Sequence, residues 1–210
     1  MLNSEKIISL LKKEYPNTKY YLDFSNPIEL VVAAILSAQC RDVIVNATTK
    51  NLFRKYKTAG SYAAAPLGQL ENDIKSITFF KNKAKNIKEA CNIIDEKYNG
   101  KVPDTMEQLV ELPGIGRKTA NAILINAFDK VEGVVVDTHV IRVSYRLGMT
   151  KNKNPEKIEK DLMLAIPKKD WKVFPHLMKD HGRAVCATAP QCSSCALNKL
   201  CPKRGVTNSL

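Results

Sequence analysis

Leu112-Pro-Gly-Ile-Gly-Arg-Lys-Thr-Ala120 is the stretch from which the rest of the chain is read. Upstream, Thr105 to Leu112 follows Pro103 and makes a short helix. Downstream, Arg117 to about Phe128 carries a longer one, and Pro113 to Gly116 is the tight turn between them. Two glycines two residues apart allow positive backbone angles and let an anion come close to the peptide N–H groups. The helix that follows turns its positive end toward that anion. Such a unit suits gripping a phosphate backbone without reading bases, although an ordinary helix–helix turn has the same local pattern.

Outward from this hairpin the helical reading continues nearly end to end. Ser4 is read as the cap of a first helix that presents Ile7, Ile8, Leu10 and Leu11 on one face. Asn26-Pro27 is a cap followed by proline at the first helical position, opening Ile28 to Gln39, and Asp42 opens a third helix. Asn82 to Tyr98 spaces Ala84, Ile87, Ala90, Cys91 and Ile94 at helical intervals before Asn99-Gly100 closes it. Past the hairpin, Val131 to Val136 is the one strand-like run; a lone strand has no partner, so it is read as a buried extended connection. Asp137 caps a helix from Thr138 to Leu147, and Asn154-Pro155 and Asp170 start two more, the last ending near Gly182. The expected fold is all-α. With no fixed-period repeat and no Gly/Ser linker, any domain division must be made by packing.

Thirty-three Lys and Arg against 21 Asp and Glu leave a formal charge of +12 on 210 residues. That excess suits a polyanionic partner; a generally basic proteome is the plainer alternative. The 44% hydrophobic content supports a packed core. The longest apolar run, Leu30 to Leu36, is too short to span a bilayer, and the amino terminus lacks a signal-peptide core with a cleavage site. The expectation is a cytoplasmic protein with no membrane partner. Cys40 and Cys91 stand alone, whereas Cys186, Cys192, Cys195 and Cys201 form C-x5-C-x2-C-x5-C. Without secretion, four thiols so close indicate a metal site rather than disulfides. Zinc and [4Fe-4S] both accept four thiolates, and spacing does not separate them.

The hairpin stretch resembles the helix-hairpin-helix of the endonuclease III family of DNA glycosylases. Val136-Asp-Thr-His-Val-Ile-Arg-Val143 is similar to the segment carrying that family's catalytic aspartate. Leu36-Ser-Ala-Gln-Cys-Arg-Asp42 resembles its helix-end loop that fills the gap left by an extruded base. Lys81-Asn-Lys-Ala-Lys-Asn-Ile87 matches a further family segment, and His181-Gly-Arg-Ala-Val-Cys186 leads into the cysteines as it does there. The markers follow the family order over most of the chain. The first cysteine spacer has five residues where the family more usually has six, and the connection from Phe128 to Asp137 is one residue longer.

The resemblance implies a two-lobed fold: a six-helix lobe over 20–131, and a second lobe from 1–19 with 132–210 that includes the cluster loop 186–201. Double-stranded DNA containing damaged bases or abasic sites would lie in the cleft between lobes. The implied protein is a monomeric base-excision-repair enzyme, associated with the nucleoid if prokaryotic. It removes oxidised pyrimidines and cuts the strand by AP-lyase β-elimination. Lys118, which alone would read as a solvated charge, becomes the nucleophile that attacks the sugar C1′ and forms a Schiff base. Asp137, a good helix cap in its own right, becomes the carboxylate that takes the lysine proton or stabilises developing positive charge. His139 is read as structural.

Extruding a nucleotide leaves a hole in the stack. By resemblance Gln39 fills it and Phe79 presses from the other side, although Phe80 is an equal candidate and a core aromatic the simpler reading. Gly114, Gly116 and Arg117 bind the DNA backbone. Resemblance favours [4Fe-4S] over zinc on the four cysteines, holding Lys199, near Lys203 and Arg204, against phosphates; a solvated basic tail is the other reading. Two alternatives remain: a mismatch or uracil-type glycosylase on the same scaffold, and a non-catalytic DNA-binding module.

Overall fold

The computed structural model describes residues 4–209, and among these the regular structure is entirely helical. The first helix, α1 (Ser4–Glu14), buries Ile7, Ile8 and Leu11. Ser4 is not its cap: it is a helical residue whose hydroxyl donates to the Ala165 carbonyl at 2.5 Å. The next helices are α2 (Pro27–Ser37), α3 (Asp42–Lys55), α4 (Ala59–Ala64), α5 (Leu67–Asp73), α6 (Phe80–Tyr98), α7 (Met106–Val110) and α8 (Arg117–Phe128). Then come α9 (Thr138–Arg146), α10 (Pro155–Ala165), a 3₁₀ turn at Lys168–Asp170, and α11 (Phe174–Ala184). No helix among the described residues is long and apolar enough to cross a membrane.

The chain divides into two compact units, Tyr20–Lys130 and a second made of Met1–Lys19 with Val131–Leu210. The first is built around α2. Its Asn26 side chain accepts the Glu29 N–H, Pro27 pre-sets the first turn, and every residue from Ile28 to Leu36 is buried. A helix apolar on all sides needs partners all round. Helices α3, α6 and α8 supply them, with Val45, Leu52, Ala84, Ile87, Ala120 and Leu124 in the same core. This unit carries seven described helices, one more than the six expected. The short α4 and α5 have too few turns for a periodic signal, yet α4 packs along α6 and inserts the fully buried Tyr62.

The second unit packs α1 and α9 against α11 around Leu11, Val140, Val143, Phe174 and Leu177. Val134 and Val136 run into this core as extended chain rather than strand. Asp170 does not start the last helix. It is buried in the 3₁₀ turn, where Lys12 donates to its carboxylate at 2.6 Å, and α11 begins four residues later with Pro175 in its first turn. A buried carboxylate already engaged by a lysine is no longer free to cap.

Candidate active site and cysteine pocket

The hairpin is held from below by its apolar residues. Leu112 and Ile115 are buried, the Ile115 N–H donates to the Leu112 carbonyl at 3.0 Å, and Ala120, Ile123 and Leu124 of α8 face the core shared with α2. Gly114 has φ +83°, a backbone that favours glycine, and a Cβ there would lie 3.1 Å from Asn86 Nδ2 and 3.4 Å from Ile35 Cγ2, so Asn86 would have to give by a few tenths of an ångström. Gly116 differs from the expectation of two positive angles. Its φ is −94° with ψ 172°, an ordinary extended conformation, and a Cβ would meet nothing within 4 Å. The chain's own packing therefore does not require glycine at 116. What the missing side chain leaves is bare backbone at the N-cap of α8, a helix with no side-chain cap. Arg117 and Lys118, its first two residues, are exposed.

Two other tips rise from the same unit. Helix α2 stops at Ser37, two residues short of the expected end, because Ala38 turns out at ψ 117° and Gln39 enters the left-handed region at φ 52°. The Gln39 side chain is exposed. Phe79, immediately before α6, is likewise left-handed (φ 57°) and 61% exposed, whereas Phe80 packs partly buried against the core. Between them lies a residue the sequence reading passed over. Lys83 is only 5% exposed, and its ammonium donates to the Leu36 carbonyl at 2.8 Å and the Ala38 carbonyl at 2.6 Å. The available signal was its place on the buried stripe of α6, four residues before Ile87 and seven before Ala90.

Asp137 caps α9, and one oxygen does all of this work. Oδ1 accepts the His139 N–H at 2.9 Å and the Val140 N–H at 2.8 Å, so Oδ2 is the oxygen the cap does not use. His139 Nδ1 lies 3.1 Å from Arg142 Nη2. A Cβ at Gly182 would stand 2.6 Å from that same Nδ1, so α11 crosses α9 at this point only because residue 182 has no side chain. Burial lowers the His139 pKa; Asp137 opposes the shift, while Arg142, Arg183 and Lys179 add to it. The imidazole is thus a neutral packing element.

Cys186, Cys192, Cys195 and Cys201 are unpaired and line one pocket, together with Arg146, His181 and Leu197. Donors already point at the sulfurs. Arg146 Nη1 reaches Cys186 Sγ at 3.3 Å, the Leu197 N–H reaches Cys195 Sγ at 3.4 Å, and the Lys203 N–H reaches Cys201 Sγ at 3.4 Å. Burial raises the thiol pKa of Cys195 and Cys201, so thiolates there call for a positive occupant. Among the described residues no group of three His, Cys, Asp or Glu side chains is placed to hold a single metal ion. Four thiols lining one pocket make a donor set for a thiolate-ligated metal centre. Arg146, also missed from sequence, is 8% exposed and its guanidinium donates to the carbonyls of Cys186, Ala187 and Thr188. Lys199 is exposed in the turn between Cys195 and Cys201.

Residues 32–168 match the family described as HhH-GPD superfamily base excision DNA repair protein. The chain is 50% identical over 198 residues to Endonuclease III of Synechocystis sp., covering 94% of this chain and 90% of that one. With Endonuclease III of Bacillus subtilis it shares 48% identity over 206 residues, 96% of this chain and 94% of the other. This chain belongs to the endonuclease III family. A solved trapped endonuclease III–DNA covalent intermediate, an estranged-adenine complex, matches it with TM-score 0.88 at 46% identity, covering 97% of each chain. A thermostable thymine-DNA glycosylase, 23% identical over 95% of each chain with TM-score 0.85, shares the fold. Endonuclease III membership is compatible with a [4Fe-4S] cluster on the cysteines.

Proposed function

We propose that this endonuclease III family member excises oxidised pyrimidines from duplex DNA and cleaves the resulting abasic site with Lys118 as its nucleophile. The observation that carries this reading is an exposed lysine in the first turn of α8, two residues after the bare backbone of Gly116. The uncapped N–H groups and positive end of α8 hold a phosphate, and Arg117 adds charge beside it. That grip fixes the strand where the Lys118 amine works. The amine becomes a nucleophile once bound DNA desolvates it and a base takes its proton. Oδ2 of Asp137 takes that proton, and the carboxylate then offsets positive charge developing on the sugar.

The neutral amine forms a bond to C1′ as the glycosidic bond breaks, and the base departs with the bonding pair and is protonated; the nitrogen then loses a proton and its lone pair expels O4′, which is protonated as the sugar ring opens to the iminium. The iminium that results acidifies the C2′ hydrogen. Its loss sends electrons toward C3′ and expels the 3′ phosphate, which is the lyase step. That a relative 46% identical is known as a trapped covalent intermediate with DNA supports the covalent route.

Gln39 enters the vacated stack and hydrogen-bonds the orphaned base, and Phe79 wedges beside it; their exposure and left-handed backbones make each a projecting tip. Cys186, Cys192, Cys195 and Cys201 hold a [4Fe-4S] cluster, which when bound ties the loop together and presents Lys199 to phosphate. The protein acts as a soluble monomer on the chromosome. The deciding experiment is incubation with duplexes bearing thymine glycol, uracil, a G·T mismatch or an abasic site, resolved on a gel. Incision at thymine glycol and at the abasic site is expected. Base loss confined to uracil or G·T, without strand cleavage, would transfer the protein to the mismatch or uracil class, and binding without any cleavage would make it a binding module.

A further inference from the structure

Gln39 and Phe79 share a costly backbone. Both are non-glycine residues in the left-handed region, at φ 52° and 57°, a conformation that is costly for a residue with a side chain. Both side chains are exposed, so burial of the tips themselves does not offset that cost. One residue is bonded to both turns. The Lys83 N–H donates to the Phe79 carbonyl at 3.2 Å, the first hydrogen bond of α6. Its ammonium donates to the Leu36 and Ala38 carbonyls at 2.8 and 2.6 Å, on either side of Ser37, whose carbonyl accepts the Cys40 N–H at 3.1 Å. Carbonyls at a helix C-terminus lack intrahelical donors and sit at the negative end of the dipole, so a cation there is well matched.

Packing alone does not explain the choice of lysine. Lys83 lies on the apolar stripe of α6 with Ala84, Ile87 and Ala90, where methionine would fill similar space without desolvating a charge. Burial lowers its pKa, and the Cys40 thiol partly opposes that shift. The same helix supplies a natural comparison. Lys88 donates to the Ala63 and Ala65 carbonyls at the end of α4, closing a helix in the same way but at a site that carries neither tip.

We propose that Lys83 is a positioning residue for base extrusion, fixing the Gln39 turn against the Phe79 turn so that both tips meet the stack in one rigid arrangement. This rests on Gln39 and Phe79 being the residues that fill the stack. Lys83 itself is buried and acts only through them.

The test measures single-turnover base release from a thymine glycol duplex and strand cleavage at a pre-formed abasic site, where little stacking or pairing is lost. Lys83→Met is expected to slow base release about tenfold or more while abasic cleavage stays within about twofold. Lys88→Met, with comparable loss of helix-end bonds, should lower Tm but slow both steps equally or not at all. Lys83→Gln keeps a donor but has shorter reach; it guards against misfolding of the methionine variant and should show a smaller loss with the same selectivity. Gln39→Ala run in parallel separates the two levels of the argument. If Gln39→Ala is selective and the Lys83 variants are not, the positioning role is wrong; if Gln39→Ala is itself unselective, the stack-filling assignment falls and the positioning role with it. Equal selectivity in Lys88→Met would also overturn the proposal, since any loosened helix end would then suffice.

Discussion

The hairpin at 112–118 and the cysteine loop at 186–201 are short, irregular segments of similar apparent importance, and they hold their shapes by different means. The hairpin rests on Leu112, Ile115 and Ala120, all buried in a core that α2, α6 and α8 already complete. Its one conformational demand is met by Gly114. In the cysteine loop Pro190 and Leu197 are the buried residues, and the rest is held by the Arg146 guanidinium and by sulfurs around a pocket. A scaffold that folds by itself can expose a reactive side chain without support from that side chain. A loop with so little apolar burial relies on what its side chains bind.

Substitutions should separate the two. Lys118→Gln removes the amine from an exposed position, so β-elimination should fall by at least about 1000-fold with Tm unchanged and duplex binding largely kept. A clear drop in Tm would make Lys118 part of the scaffold. Asp137→Asn keeps a side chain able to accept both cap bonds but loses the charge, and base release should slow about 100-fold at a stability cost of a few tenths of a kcal/mol. Unchanged chemistry would reduce Asp137 to a cap. Cys195→Ala should do the reverse of Lys118→Gln. With the proposed [4Fe-4S] cluster bound, the wild-type protein should be yellow-brown with broad absorption near roughly 400 nm; the variant should lack both, and its Tm should drop by roughly 10 °C. Stoichiometric zinc in a colourless wild type would reassign the pocket.

Within the hairpin, the glycine pair sharpens the contrast. Gly114→Ala forces a left-handed alanine against Asn86 and should cost about 1–3 kcal/mol, read by denaturant unfolding. Gly116→Ala meets open space and should leave stability within about 0.5 kcal/mol while weakening DNA binding several-fold, because the methyl occupies the approach to the α8 backbone. A pH-dependent effect belongs to the unit that carries the cysteines. Burial lowers the His176 pKa to about 4, with Lys179 adding to the shift. The unfolded chain binds this proton first, so stability should be lost as pH falls from about 6.5 toward 4. His176→Gln should flatten that part of the Tm–pH curve, and an unchanged slope would place the acid sensitivity elsewhere.

What could be read without coordinates follows the reach of each interaction. Asn26-Pro27, Asn154-Pro155 and Asp137 were legible as caps because their partners lie two or three residues away. The bounds of α8 could be read for a similar reason, since Gly116 and Phe128 end a continuous apolar pattern. Ser4 and Asp170 misled because their partners, Ala165 and Lys12, are more than 150 residues distant and outcompete the local cap. Helices α4 and α5 are too short for periodicity and exist by packing against α6. The grouping of the four thiols was legible from spacing, whereas Arg146 and Lys83 were not: each is a cation on a buried stripe whose acceptors come from another part of the chain. The two glycines of the hairpin looked alike in sequence, and only φ distinguishes the one that shapes the turn from the one that leaves it open.

The claim on which the function turns is that the Lys118 amine bonds to the sugar. Borohydride added during cleavage of an abasic or thymine glycol duplex reduces the iminium to a stable amine, and proteolysis with mass mapping locates the DNA on one peptide. The account predicts a trapped adduct on Lys118, abolished in Lys118→Gln and still formed, more slowly, in Asp137→Asn. An adduct on another lysine, or robust trapping by Lys118→Gln, would contradict it.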